Sequence, residues 1–205
     1  MTHVETNEWV NADHAQGFLD KRDQVPQLEV GYSELLSILP PHPKRVLDLG
    51  CGDGKVMAMI GGSGIAVDFS PHMLEQARAR FHADEVEVVE HNLNAPLPEL
   101  GTFDLVVSAF AIHHCPHERK RELYAEVFDL VEPGGTFANL EHVASPTERL
   151  HREFHELIDA PEDPSNKLLD VETQLRWLRE IGFVEVECFW KWRELALLAG
   201  LRPPV

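Results

Sequence analysis

Three cysteines in 205 residues, odd in number and far apart at Cys51, Cys115 and Cys188, are too scattered for a disulfide framework and fit a reducing compartment. Basic residues are scarce as well: 18 Lys and Arg stand against 35 Asp and Glu, a formal charge of −17. Nucleic-acid binding draws on clustered cations that neutralise phosphates, and the two short basic runs, Arg119-Lys-Arg121 and Lys191-Trp-Arg193, are outweighed on both sides, so no RNA or DNA partner is expected. No apolar run approaches the roughly 20 residues of a membrane span, and the first residues lack the basic-then-apolar order of an export signal. A cytoplasmic chain acting on small molecules, without a membrane partner, is the expectation. The 43% apolar content suffices for one domain with a full core, and no internal repeat interrupts it.

One further absence narrows the ligand. Val46-Leu-Asp-Leu-Gly-Cys-Gly-Asp-Gly-Lys55 reads as a buried strand running into a glycine-dense turn that opens a helix. A dinucleotide fingerprint needs a glycine where Lys55 stands, and a phosphate loop needs Gly-Lys-Ser/Thr, which does not follow. What is there instead is Asp-x-Gly-x-Gly-x-Gly. The acid Asp48 at the strand end would repel a pyrophosphate and suits a ligand that carries an ammonium and a sulfonium.

Helical periodicity runs from Trp9 to Leu39 with an interruption near Pro26, and two helices there would lie over the carboxyl edge of a sheet. Strands are expected at 46–49, 65–69, 86–90, 103–110, 136–143, 184–191 and 194–199, with helices after the first, second and fourth and two more, near 146–160 and 171–181, after the fifth. Ser70-Pro71 reads as an N-cap followed by proline in the first helical position, and Pro116 opens another helix. Alternation of strand and helix implies parallel pairing by right-handed crossovers. Only Trp192 and Arg193 separate the last two strands, so they should form a hairpin with the final strand reversed. The fold class is therefore α/β: a doubly wound, mostly parallel seven-stranded sheet with an antiparallel last strand and an N-terminal helical cap. Pro161–Asn166 reads as a mobile loop.

Four ordered segments resemble class I S-adenosylmethionine (SAM) dependent methyltransferases: Asp48–Gly54, Ala66-Val-Asp-Phe-Ser70, Phe103–His114 and Leu130-Val-Glu-Pro-Gly-Gly-Thr136. Together with Gln174–Phe183, the run Ser108–His114 is similar to a bacterial and archaeal subgroup of small stand-alone enzymes. The resemblance implies one domain, with a cap over 1–42, a SAM-binding core over 43–145 and C-terminal helices and hairpin over 146–205. It implies SAM as cofactor, a small-molecule acceptor methylated on O, N or C, and a monomer or homodimer. Vestigial catalysis in a SAM-binding protein, or SAM chemistry other than methyl transfer, are the alternatives.

Site roles follow from the same resemblance. Backbone at Gly50 and Cys51 would meet the methionine part, and Asp48 its amino group. Asp68, 18 residues after Gly50, would accept the ribose hydroxyls, with Phe69 on the adenine face. Asn92 stands where the family carries an acid, so an amide oxygen would accept the adenine amino hydrogen, or else shape the turn. Gly52, Gly54, Met73, Leu93 and Ser108 complete the expected cofactor set. His113 and His114 are candidate bases or packing residues. Phe18, Arg22, Glu141 and His142 are candidates for touching the acceptor. An aromatic set of Trp9, Phe18, Tyr32, Trp177, Phe189, Trp190 and Trp192 either lines the acceptor pocket or fills the core. No metal is expected, because adjacent side chains in His113-His114-Cys115 rarely reach one ion.

Overall fold

The computed structural model describes residues 8–22 and 24–205. At its centre lies β1 (Arg45–Leu49), paired in parallel with β2 (Ser63–Asp68) on one side and β4 (Phe103–Ala109) on the other. Both faces of this strand are covered, which explains its nearly unbroken apolar sequence. Leu47 and Leu49 point to one layer, against Leu123, Tyr124 and Val127 of α5 (His117–Leu130) and Leu175 and Leu178 of α7 (Val171–Ile181). Val46 points to the other, formed by α2 (Leu28–Ile38), α3 (Lys55–Ile60), α4 (Pro71–Arg80) and α6 (Glu148–Ile158) through Leu35, Met57, Ala77 and Phe154.

With β3 (Val86–Glu90), β5 (Val131–His142), β6 (Val184–Trp192) and β7 (Leu195–Leu201), the sheet order is β3-β2-β1-β4-β5-β7-β6. β7 runs antiparallel to both β5 and β6, so the reversed last strand is inserted between them. Chain order reverses between β1 and β4, and the carboxyl ends of strands part there to leave a crevice. The edge strand β6 carries two register shifts, a common device for blunting an open edge.

Three local expectations are corrected. Ser70 does sit before Pro71, but its hydroxyl makes no capping bond; Asp68 Oδ1 instead accepts from the amides of Phe69 and Ser70, both at 2.8 Å. β5 begins at Val131 rather than Thr136, because Pro133 and the glycines after it fit into a register shift between Phe103↔Val131 and Leu105↔Thr136. Glu194 belongs to the hairpin turn, with the left-handed Arg193 (φ 51) before it. Both N-terminal helices reach the crevice, α1 (Ala12–Arg22) through Phe18 and Arg22 and α2 through Leu28 and Tyr32, and α2 also packs on the sheet through Leu35, with Gly31 against Trp190.

Candidate active site

The turn after β1 shapes the crevice. Gly50, Gly52 and Gly54 all have positive φ (+70, +54 and +79), which explains glycine at each. Their free space differs. A Cβ on Gly50 would collide with the Ala111 methyl and one on Gly54 with the Phe81 ring, whereas at Gly52 the nearest atom, Met73 Sδ, is 3.9 Å away. Only Gly52 keeps its side-chain volume open toward the crevice.

Four amides of this turn are already spent. Gly50 and Cys51 both donate to Val67 O (2.8 and 2.9 Å), Gly52 to Asp68 Oδ2 (2.9 Å) and Gly54 to Cys51 O (2.9 Å). A phosphate cradle needs such amides free. The expected contact of Gly50 and Cys51 with a ligand is therefore through carbonyl oxygens, which favour a cation. Asp48 reinforces this. It is 1% exposed, and neither carboxylate oxygen accepts a hydrogen bond among the described residues. Burial, with the charges of Asp68 and Asp53 adding to it and the nearby Met57 amide offsetting only part, pushes its pKa up to about 7. A buried, unpaired acid in a cavity wall is matched by a cationic ligand such as the amino end of SAM.

The cavity itself encloses about 900 Å³ including its mouth. Of the cofactor residues expected from sequence, Asp48, Gly50, Cys51, Gly52, Asp68, Phe69, Met73, Asn92 and Leu93 line it. Gly54 and Ser108 do not; Gly54 packs on Phe81, and Ser108, fully buried, donates to Leu49 O at 2.7 Å and ties β4 to β1. Burial raises the Asp68 carboxyl, though three backbone amides bound to it work the other way. Asn92 Oδ1 accepts from Asn94 N at 2.9 Å, so its amide oxygen holds the turn after β3.

That turn is clamped from α5, where sequence suggested only a basic surface run. Arg119 donates to Leu93 O (2.8 Å) and Ala95 O (2.9 Å), while Glu126 holds its guanidinium (2.6 and 2.8 Å). Lys120, fully buried, donates to the carbonyls of His113, Cys115 and Lys167. Burial, partly opposed by the Glu141 charge, lowers its pKa to about 8. Nothing in a run of three cations distinguishes such pillars from solvated side chains.

A second cavity, about 770 Å³ including its open mouth, adjoins the first, walled by Val25, Leu28, Phe110, Phe154, Ile158 and Leu195. Trp9, Phe18, Arg22, Phe110 and His114 line both. His113 and His142 face the second alone. Of the aromatic set, Trp9, Phe18 and Tyr32 reach a cavity, whereas Trp177, Phe189, Trp190 and Trp192 line neither. Arg22 faces the shared wall but pairs there with Asp53 (2.8 and 3.3 Å), which Arg80 also holds at 2.9 Å; these hydrogen bonds and charges outweigh burial and keep Asp53 ionised. Asp53 escaped the sequence reading because one acid in a glycine turn carries no signal of its distant partners.

His113 and His114 occupy a 3-10 turn (Ile112–His114) after β4. His113 Nδ1 meets Glu141 Oε1 at 2.7 Å, so Glu141 stands behind His113 and lines neither cavity, contrary to its expected contact with the acceptor. His114 Nδ1 meets Ser165 Oγ at 2.9 Å, and Ser165 donates to Asp163 Oδ1 at 2.7 Å. The segment expected to be a mobile loop thus folds back onto the site. Because the single hydroxyl hydrogen goes to Asp163, His114 must donate through Nδ1, which leaves Nε2 as the lone-pair nitrogen. That Nε2 is buried and has no hydrogen-bond partner among the described residues. Burial, then the nearby His113, holds the His114 pKa well below the ordinary value, so the ring is neutral.

Comparison with known proteins agrees with this geometry. Residues 46–135 match the family model described as a methyltransferase domain. Over 173 residues the chain is 28% identical to a demethylmenaquinone methyltransferase of Clavibacter sepedonicus, covering 74% of this chain and 70% of that one. It is 36% identical over 121 residues to an uncharacterized methyltransferase of Mycobacterium tuberculosis, covering 57% of this chain and 60% of that protein's length. Human N-acetylserotonin methyltransferase in complex with SAM shares the fold (TM-score 0.70, 17% identity, 100% of this chain and 61% of that one). Together, a cradle built for a cation, the sheet order with its reversed β7, and the methyltransferase-domain model matched over residues 46–135 support a class I SAM-dependent methyltransferase.

Proposed function

We propose that the protein methylates an oxygen or nitrogen of a small, largely apolar acceptor held in the second cavity. When bound in the first cavity, SAM supplies a methyl carbon already activated by a cationic sulfur. The residues then have two tasks: to bring two reactants together across the shared wall, and to remove the acceptor's proton. Trp9, Phe18 and Phe110 exclude water from that wall. His114 takes the proton through Nε2, with Ser165 and Asp163 fixing the ring. The observation that carries this reading is the position of His114 in both cavities with a neutral ring and an unpaired Nε2.

The test uses labelled SAM and an untargeted metabolite extract. Label should enter small organic molecules and not nucleic acid. With the acceptor in hand, His114→Ala should slow transfer by about 10²–10⁴-fold, while calorimetric SAM affinity stays within a few-fold. Turnover of His114→Ala equal to wild type would remove the base from the reading, and labelled nucleic acid would replace the acceptor class.

A further inference from the structure

We propose that His142, His155 and Glu194 form a binding site for a divalent transition-metal ion of the zinc class at the wall of the second cavity. The three residues come from separate elements, the end of β5, α6 and the β6–β7 turn, yet one donor atom of each lies within 4.8 Å of the others. Two imidazoles and a carboxylate are a donor set suited to zinc and its neighbours, and too nitrogen-rich for magnesium or calcium.

His155 gives the second, independent observation. Its Nδ1 meets Ala160 O at 3.0 Å, and a carbonyl can only accept, so Nδ1 carries the hydrogen and Nε2 the lone pair. Nε2 is buried without a hydrogen-bond partner among the described residues. Backbone carbonyls commonly fix metal-binding imidazoles in this way, leaving the other nitrogen for the ion.

Glu194 supplies the charge. It is fully buried, and its side-chain partners are the imidazoles of His142 (Nε2 at 2.9 Å from Oε2) and His151 (Nδ1 at 3.0 Å from Oε1) and the hydroxyl of Ser145. A buried carboxylate with no Lys or Arg ion pair beside a buried imidazole lone pair is an arrangement that a cation completes. His151, one helical turn before His155, keeps its hold on Oε1 and orients the carboxylate. His142 and His155 line the second cavity, so with three protein ligands the fourth position is left to whatever enters it, the pattern of an open rather than a structural zinc site. This site is independent of the methyl-transfer reading.

The full chain, stripped with chelator, is titrated with Co²⁺ while visible absorption is followed, and with Zn²⁺ by calorimetry. One equivalent should bind with a dissociation constant below about 1 µM and intense tetrahedral-type Co²⁺ bands. His155→Ala and His142→Gln should each weaken binding at least about 100-fold, and His151→Ala about 10–100-fold as an outer partner. His155 lies only partly buried on α6, so His155→Ala should fold, with unchanged circular dichroism to confirm it. Binding weaker than about 10 µM overturns the site, as does binding undiminished in both His155→Ala and His142→Gln, which would mark an adventitious ion on surface histidines. A parallel SAM titration separates the two proposals, because it reads the other cavity.

Discussion

Asp48 concentrates the electrostatics of the site into one residue. Its pKa of about 7 in the folded chain stands against an ordinary 3.8, so between those values the fold holds a proton that the unfolded chain has lost. Stability therefore falls as pH rises through that window, and the ionised carboxylate costs about 4 kcal/mol above it, at 1.36 kcal/mol per pKa unit. A cationic ligand removes that cost. Asp48→Asn should flatten the stability profile between pH 5 and 8 and leave the ligand-free protein more stable at pH 8, while weakening SAM at least about tenfold. Chemical denaturation across this range, paired with calorimetry, measures both effects. A variant with the wild-type pH slope would show that Asp48 is not the titrating group.

At the scale of elements, α5 positions walls of both cavities. Successive residues on a helix point about 100° apart, so Arg119 reaches the turn after β3 and Lys120 reaches the 113–115 turn and residue 167. One helix thus fixes the far wall of the cofactor cavity and the histidine turn. Lys120→Met keeps the volume but strands three carbonyls, and should cost about 1–3 kcal/mol of stability. Arg119→Met should instead act mainly on ligand affinity, weakening SAM several-fold through a loosened 93–95 segment. Urea denaturation and SAM calorimetry on both variants check the division. Equal SAM affinity in Arg119→Met and wild type would show that the clamp does not shape the cavity.

For the whole molecule, the consumed amides of the glycine turn set ligand choice. SAM or S-adenosylhomocysteine at about 100 times its dissociation constant should stabilise the fold by about 2.7 kcal/mol, a rise of roughly 5–10 °C in Tm for a chain of this size. NAD and ATP should give none, because the Gly50, Cys51, Gly52 and Gly54 amides are already bonded and are not free to meet their phosphates. Thermal unfolding with each nucleotide decides this, and an equal rise with ATP would contradict the cationic cradle. No helix among the described residues is long and apolar enough to cross a membrane.

Periodicity and turn chemistry are local, so the sequence by itself determined the strands, their order of appearance, the glycine turn with its acids Asp48 and Asp68, and the hairpin that reverses β7. It also marked His113 and His114, since both follow directly from the end of a strand. Tertiary structure decided what depends on residues brought together from afar. It put Gly50 and Gly52 at the cavity while Gly54 packs on Phe81, turned Ser108 into a tie between strands, buried Arg119 and Lys120, and folded Asp163 and Ser165 back onto His114. The meeting of His142, His155 and Glu194 is of the same kind. Each is separated from a partner by a crossover or a hairpin, and only the packing of α6 against β5 and β7 sets their distance.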